Sequence, residues 1–486
     1  MITFLCCVAL LVIAYFTYGK FVEKTFGMDA HRPTPAITQA DGIDFVPMST
    51  KKVYLIQFLN IAGLGPIYGP ILGALYGPVA FVWIVLGSIF AGGVHDYMAG
   101  MMSVRNKGKS LPELTGTYLG EGSRYAMLLV SIMLLLFVGV VFIVGPAALM
   151  ANLTFETGGP SVFAGTPLES KTFWVAVIFV YYFASTVFPI DKIIGRFYPF
   201  FGAVLMFMAI GVGGAMIFHG LAIPEITSWA DFTHPKGTPI WPGLFFTISC
   251  GALSGFHATQ SPLMARTLKN ENKGRTVFYG AMITEGVIAM IWAGVGMAYF
   301  PDGIAGLNAV LAKGGPGLVV NEITVGYLGI FGGLLAILGV IAAPITSGDT
   351  AFRAIRLTIA DRFNISQVGT KNRLLISLPI FAIAFFITQI NFAVIWKYFT
   401  FSNQMLAAFV LWTAVAYLYK NGRNIWIAAL PGALLTGTLV GYVLTAPEFP
   451  FAASYSVATT SAMATSLAII LYLVTLMAKS RKKVLV

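Results

Sequence analysis

Few ionisable or amide side chains interrupt the apolar stretches of this chain, and those few carry its candidate chemistry. His257 follows the Gly-rich break Gly251-Ala252-Leu253-Ser254-Gly255, with Gln260 about one turn further on. Glu285 lies too deep in its apolar segment to reach water, His95 and Asp96 lie near the end of another, and Lys397 lies inside a third near Asn391. Charged groups in hydrocarbon are costly, so each is a functional candidate by default. A neutral imidazole at His257 can bond a substrate oxygen, and it titrates where a proton-coupled carrier could use it. Glu285 suits a protonatable coupling group or the partner of a buried base. His95 and Asp96 suit a gate, a relay or a structural pair. Lys397 suits a coupling or gating charge, or a side chain that snorkels to the interface. For His257 the competing reading is a hydrogen bond inside the helix bundle.

Oxygen-only groups form a second constellation. Ala343-Pro344-Ile345-Thr346-Ser347 puts two hydroxyls inside an apolar segment. Together with backbone carbonyls freed at Ala62–Gly65, they would offer the ligands that Na⁺ takes from unwound transporter helices. The expected cation set is Ala62, Gly65, Ala343, Thr346 and Ser347. The alternative is that Thr346 and Ser347 bond back to their own helix. Asn60, just before the first break, has both a donor and an acceptor for a ligand. Beyond that break Pro66 suits the first turn of a new half-helix, whose positive end would receive a carboxylate. For Pro66 and Pro70 the alternative is a simple kink. The expected substrate set is Asn60, Gly63, Gly65, Gly251, Ser254, Gly255, His257 and Gln260.

The elements that must position these groups are membrane helices. Of the 486 residues 57% are hydrophobic and 10% charged, whereas a soluble domain carries about 25% charge. Thirteen segments reach spanning length, roughly 17–25 residues: 2–18, 53–76, 78–102, 124–151, 172–188, 197–218, 241–264, 276–300, 324–358, 374–390, 392–419, 425–445 and 455–478. The run Ile2–Tyr18 lacks a basic leader and a clean cleavage site, so it reads as a retained helix. With the N-terminus outside, 26 of the 30 Lys and Arg fall on the cytoplasmic side. Lys171, Lys236 and Lys313 fall outside, and Lys397 lies within a span. This asymmetry supports both the count and an inner-membrane orientation with the C-terminus cytoplasmic.

The breaks in 53–76 and 241–264 fall in register under a shift of 188 residues, which places Gly63 on Gly251. Each opens a group of five spans, so the second group runs with inverted polarity. The expected organisation is a peripheral helix at 1–20, a cytoplasmic loop at 21–52, one repeat at 53–220, its inverted copy at 241–420, and two further helices at 421–486. The fold class is all-α, with a LeuT-like five-plus-five core. Paired breaks point to a binding site between the repeats, although close helix packing is the other use of such glycines.

The net charge of +11 follows membrane topology and does not point to nucleic acid. A channel would need a pore-loop signature, and none is present. The five histidines are scattered (His31, His95, His219, His234, His257), without haem or zinc-protease spacing, so no enzyme and no cofactor are expected. Cys6, Cys7 and Cys250 read as small buried hydrophobes.

Several motifs resemble the carbon starvation protein family. They are Asp41-Gly42-Ile43-Asp44-Phe45-Val46-Pro47, Ile61-Ala62-Gly63-Leu64-Gly65-Pro66, Gly93-Val94-His95-Asp96-Tyr97, Cys250-Gly251-Ala252-Leu253-Ser254-Gly255-Phe256-His257, Gln260-Ser261-Pro262-Leu263-Met264-Ala265-Arg266, and Pro344 through Arg353. The resemblance implies an inner-membrane carrier linked to nutrient scavenging, for peptides or for pyruvate with protons. It also implies the amino acid–polyamine–organocation grouping. Ala343 through Ser347 is similar to an Ala-x-x-Thr-Ser arrangement in the eighth core helix of sodium symporters. Many family members carry paired histidines where this chain has Ile56-Gln57, which leaves the coupling ion open between H⁺ and Na⁺. Longer members carry further C-terminal membrane segments, whose functions are expected to be absent from a chain of this length. The expectation is a secondary transporter of a small carboxylate such as pyruvate, with a short peptide as the alternative substrate.

Overall fold

The computed structural model describes residues 1–42, 45–187, 191–227, 234–363, 365–366, 369–446 and 449–484, with side chains at 187, 191–199, 343, 346, 361–362 and 478–484 outside the description. The described chain is helical almost throughout. The first helices are α1 (Ile2–Phe16), α2 (Tyr18–Phe26), the short α3 (Pro35–Thr38), α4 (Thr50–Ile61) and α5 (Gly65–Gly73). There follow α6 (Val79–Leu86), α7 (Gly93–Arg105), α8 (Leu111–Leu119), α9 (Glu121–Ala151), α10 (Lys171–Val187) and α11 (Asp191–Phe218). The second half has α12 (Ile240–Thr247), α13 (His257–Ala265), α14 (Gly280–Ala298), α15 (Ile304–Ala336), α16 (Ala343–Phe363), α17 (Thr370–Thr388), α18 (Phe392–Lys420), α19 (Trp426–Thr445) and α20 (Tyr455–Val484).

Ten of these stretches are long and apolar enough to cross a membrane, or eleven if the bent pair α4–α5 counts as one. The remaining two of the thirteen expected segments fall short of that length for visible reasons. The segment at 172–188 is a short apolar helix, and the one at 241–264 is divided into α12 and α13 by its break. One expectation needs extending. Residues ahead of 324 are also helical, because α15 begins at Ile304 and bends where Gly315 and Gly329 take positive φ. That stretch is too polar and too Gly-rich to show as an apolar run.

Two layers position the candidate residues. In the first, α5 lies along α14, and α13 packs on both α7 and α4. In the second, α9 sits centrally against α10, α16 and α18. The helix α11 bridges the layers by touching α4, α14 and α15. Three π-helical turns interrupt the helices, at Gly87–Gly92, Arg275–Tyr279 and Ile337–Ala342. They lead directly into α7, α14 and α16.

At the basic end of the bundle the linker after α2 is clasped to the linker after α13. Arg105 donates from Nε and Nη2 to the two oxygens of Glu271 at 2.5 and 2.7 Å, and from Nη2 to the Gly27 carbonyl at 2.8 Å. Glu271 is fully buried and also accepts from the Asp29 backbone N–H at 3.0 Å. Asn270 donates to the Ala30 carbonyl at 2.9 Å.

Candidate functional site

Both breaks are present in the backbone. The helix α4 ends with the Ala62 N–H on the Phe58 carbonyl at 2.8 Å, and α5 restarts at Gly65 with its axis turned by 47°. The second break runs from Ile248 to Phe256, between α12 and α13. Gly251 there has φ of +88°, a region in which a Cβ is strained. A Cβ at Gly255 would collide with the backbone of Asn403 and Ala407, so glycine is what allows α18 this close. Gly63 faces Phe142 and Gly65 faces Cys250 at packing distance.

The two breaks differ in how their exposed carbonyls are satisfied. In the second, the carbonyl of Ile248 accepts from Trp83 Nε1 at 2.8 Å and that of Gly251 from Ser88 Oγ at 2.9 Å. The carbonyl of Leu253 accepts from Gln404 Nε2 at 3.3 Å. Asn403 completes the brace. Its Oδ1 accepts from the Phe256 N–H at 2.7 Å and Ser254 Oγ at 3.2 Å, and its Nδ2 donates to Ser249 Oγ at 3.2 Å. At the first break, among the described residues, no side chain donates to the carbonyl of Ala62 or Gly63. Asn403→Ala is therefore expected to lower stability by about 1–3 kcal/mol through the buried groups it strands. A detergent melting curve with an unchanged midpoint would contradict this brace. Sequence reasoning passed over Trp83, Ser88, Asn403 and Gln404. Adjacent amides in the middle of an apolar span were the available signal.

Four of the candidate residues, singled out separately, converge on one buried chain. Nδ1 of His95 lies 2.7 Å from Oδ1 of Asp96. Nδ1 of His257 lies 2.8 Å from the other oxygen, Oδ2. Nε2 of His257 lies 3.3 Å from Oε2 of Glu285, at an angle outside hydrogen-bond geometry. All four side chains are fully buried. The chain thus crosses from α7 through the first residue of α13 into α14.

A carboxylate only accepts, so Asp96 assigns the proton on each imidazole to Nδ1. His257 Nε2 and Glu285 must then hold one proton between them, as imidazolium with carboxylate or as imidazole with carboxylic acid. Without it, a nitrogen lone pair faces a carboxylate in a dry interior, where unpaired polar groups are costly.

The other candidates are placed as follows. Asn60 is buried on α4, and Gln260 donates to Thr259 Oγ1 at 2.8 Å on α13. Ser347 is buried on α16, while Ala343 and Thr346 fall outside the described side chains. Asp349 accepts from Arg353 Nη2 at 3.0 Å, as their i,i+4 spacing implied, and also from Ser185. Lys397 does not join the buried chain. It lines a cavity of about 990 Å³ whose wall includes Tyr68, Thr247 and Trp396. Tyr68 and Trp396 stand with ring centroids 6.4 Å apart, and Trp396 Nε1 donates to the Thr247 carbonyl at 3.4 Å. These three residues separate the cavity from the two breaks.

The sequence profile described as "Carbon starvation protein CstA" matches residues 1–168 and 160–313. The chain belongs to this carbon starvation protein family. Within it, the chain is 48% identical over 351 residues to an uncharacterized membrane protein of Haemophilus influenzae, covering 64% of this chain and 95% of the relative. It is 26% identical to the peptide transporter CstA of Escherichia coli, covering 88% and 78% of the two chains. It is 28% identical to the pyruvate/proton symporter BtsT of the same organism, covering 58% and 48%.

Solved structures show the fold of this family member. An Eremococcus coleocola manganese transporter superposes with TM-score 0.55 at 13% identity, covering 92% of this chain and 99% of its own. MhsT in complex with L-phenylalanine gives 0.52 at 14% identity, covering 87% and 99%. The chain is a multi-pass membrane protein with the LeuT-type five-plus-five fold.

Proposed function

We propose that this carbon starvation family member is a secondary active transporter that imports a small carboxylate, such as pyruvate, together with protons. Substrate binds between the two broken helices, and the layer containing α4–α5, α7, α12–α13 and α14 rocks against the layer built on α9. The observation that carries this reading is the buried chain His95–Asp96–His257–Glu285. It places a shared proton beside the first residue of a half-helix that borders the second break, so a change at the break disturbs the proton. The positive end of a half-helix beyond a break suits a carboxylate. The relative named a pyruvate/proton symporter supports both parts of the proposal.

A short peptide is the second reading. Relatives named peptide transporters align over most of this chain, and the adjoining cavity exceeds what a three-carbon acid needs. Sodium remains the rival coupling ion, through the uncapped carbonyls at Ala62 and Gly63 with Ser347 and Thr346. The charge distribution supports an inner-membrane location with the N-terminus outside.

Uptake of labelled pyruvate into proteoliposomes under imposed H⁺ or Na⁺ gradients tests these choices. Proton-driven uptake that is lost in His257→Ala and kept in Thr346→Ala is the expected result. Sodium-driven uptake lost in Thr346→Ala would move coupling to the oxygen site. No pyruvate uptake under either gradient, with uptake of a di- or tripeptide, would replace the substrate.

A further inference from the structure

The four lysines that the charge count leaves off the basic face are Lys171, Lys236, Lys313 and Lys397. They belong to four different parts of the chain: the start of α10, the loop before α12, the middle of α15 and the first turns of α18. All four line the same cavity of about 990 Å³. Topology disfavours lysine on that face, so their convergence on one cavity is not a by-product of orientation.

No aspartate or glutamate lies among the described residues that line this cavity. The acid in electrostatic range of a member is Glu322, which interacts with Lys313 from outside the lining. His234, also in the wall, has its pKa lowered by burial and then by the charge of Lys236. Its imidazole is therefore neutral at pH 7 and does not alter the sign of the cavity.

We propose that this cavity is an anion-recruiting vestibule, which concentrates carboxylates above the Tyr68–Trp396 barrier before they reach the broken helices. The proposal rests on the transport reading and adds a selection step to it: anions are chosen by field before any fit to the inner site. A cavity lined by one sign of charge within low-dielectric walls raises the local concentration of a counter-ion by about 10–10³-fold. Its volume does not discriminate among small solutes, so charge is the filter. The effect weakens with salt, since the screening length is about 8 Å at physiological ionic strength and about 3 Å at 1 M.

A cysteine at Ala393 reads the field directly. Ala393 lies in the wall, and replacing Cys6 by Ser removes the exposed native thiol. The measurement is the modification rate by an anionic sulfonatoethyl reagent divided by that of a cationic trimethylammonium reagent of the same thiosulfonate class. The ratio is expected to exceed that of a free thiol by about tenfold or more at low salt. It is expected to return to the free-thiol value in 1 M salt and when all four lysines are replaced by Gln. A ratio equal to the free thiol, or one unmoved by the lysine substitutions, overturns the proposal. If the fourfold variant does not fold, Lys236→Gln with Lys313→Gln, both exposed, is expected to lower the ratio by about half on a logarithmic scale.

The transport arm uses pyruvate. The fourfold variant is expected to raise KM about tenfold and leave the maximal rate near wild type. An unchanged KM with a collapsed reagent ratio shows that the field is real but recruits nothing, which also overturns the proposal. Wild-type protein that fails to take up pyruvate sinks the carboxylate reading, while the reagent ratio still decides the vestibule.

Discussion

Glu285→Gln is expected to cut proton-driven accumulation of substrate by about a hundredfold, the low end of what loss of a positioned proton-transfer group costs. The amide is isosteric, and its N–H can donate to the Nε2 lone pair of His257, so the packing of α13 on α14 is kept. What disappears is the proton that His257 and Glu285 hold between them. Exchange of internal for external substrate, which needs no net proton movement, is expected to continue in the variant. Asp96→Asn should produce the same separation by another route. An amide nitrogen facing Nδ1 of His257 favours the other tautomer, and the proton is then presented to Glu285 without release. Accumulation at the wild-type level in Glu285→Gln, driven by a pH gradient, would remove the buried chain from the coupling mechanism. Loss of accumulation and exchange together, with a normal melting point, would make Glu285 part of the substrate site instead.

The clasp at the basic end yields the largest expected stability effect. Arg105→Met leaves the carboxylate of Glu271 fully buried without its charge partner. Removing one partner of a buried pair costs about 3–5 kcal/mol. The Arg105→Met/Glu271→Met double variant is expected to recover more than half of that loss, because replacing both members by apolar groups is often close to neutral. Recovery stays incomplete because the Gly27 carbonyl and the Asp29 N–H lose their partners in both variants. Thermal unfolding in detergent, arranged as a double-mutant cycle, gives the coupling. If Arg105→Met lowers the midpoint no more than the exposed control Lys109→Met, the pair is not a clasp. Limited proteolysis within 28–48 supplies a second readout, since this linker is tied down only through Arg105, Glu271 and their neighbours.

Much of the architecture could be read from hydropathy because each span is a local property. An apolar run of spanning length, a Gly-rich interruption and a lysine count need no knowledge of what touches what. The same local rule flagged His95, Asp96, His257 and Glu285 one at a time, since each is an ionisable group in an apolar run. It could not join them. Asp96 and His257 are 161 positions apart, and no period links one helix to a neighbour packed on it.

The glycines show a different limit. A Gly at a break serves a ligand cavity or a close helix contact equally well on paper. In the structure Gly255 stands against the backbone of α18 and Gly63 against Phe142. Asn403 and Gln404 went unnoticed because amides inside a long helix carry no signature of the neighbouring carbonyls they cap. Lys397 was legible as unusual, but its companions in the cavity wall come from three other elements.

The three π-helical turns have a consequence for the phase of the helices that follow them. Each accommodates a residue more than an α-helical turn of the same height, and each lies just ahead of candidate residues. Gly87–Gly92 precedes His95 and Asp96, Arg275–Tyr279 precedes Glu285, and Ile337–Ala342 precedes Ser347. An α-helix advances about 100° per residue. Deleting a single residue from Arg275–Tyr279 and letting the turn relax to regular helix would rotate Glu285 by that angle, away from His257. In a relative that lacks the extra residue, the corresponding acid would have to occur one position away in the aligned sequence. A one-residue gap at these points therefore marks a change of facing, and residue-by-residue comparison across it would pair side chains that point in different directions.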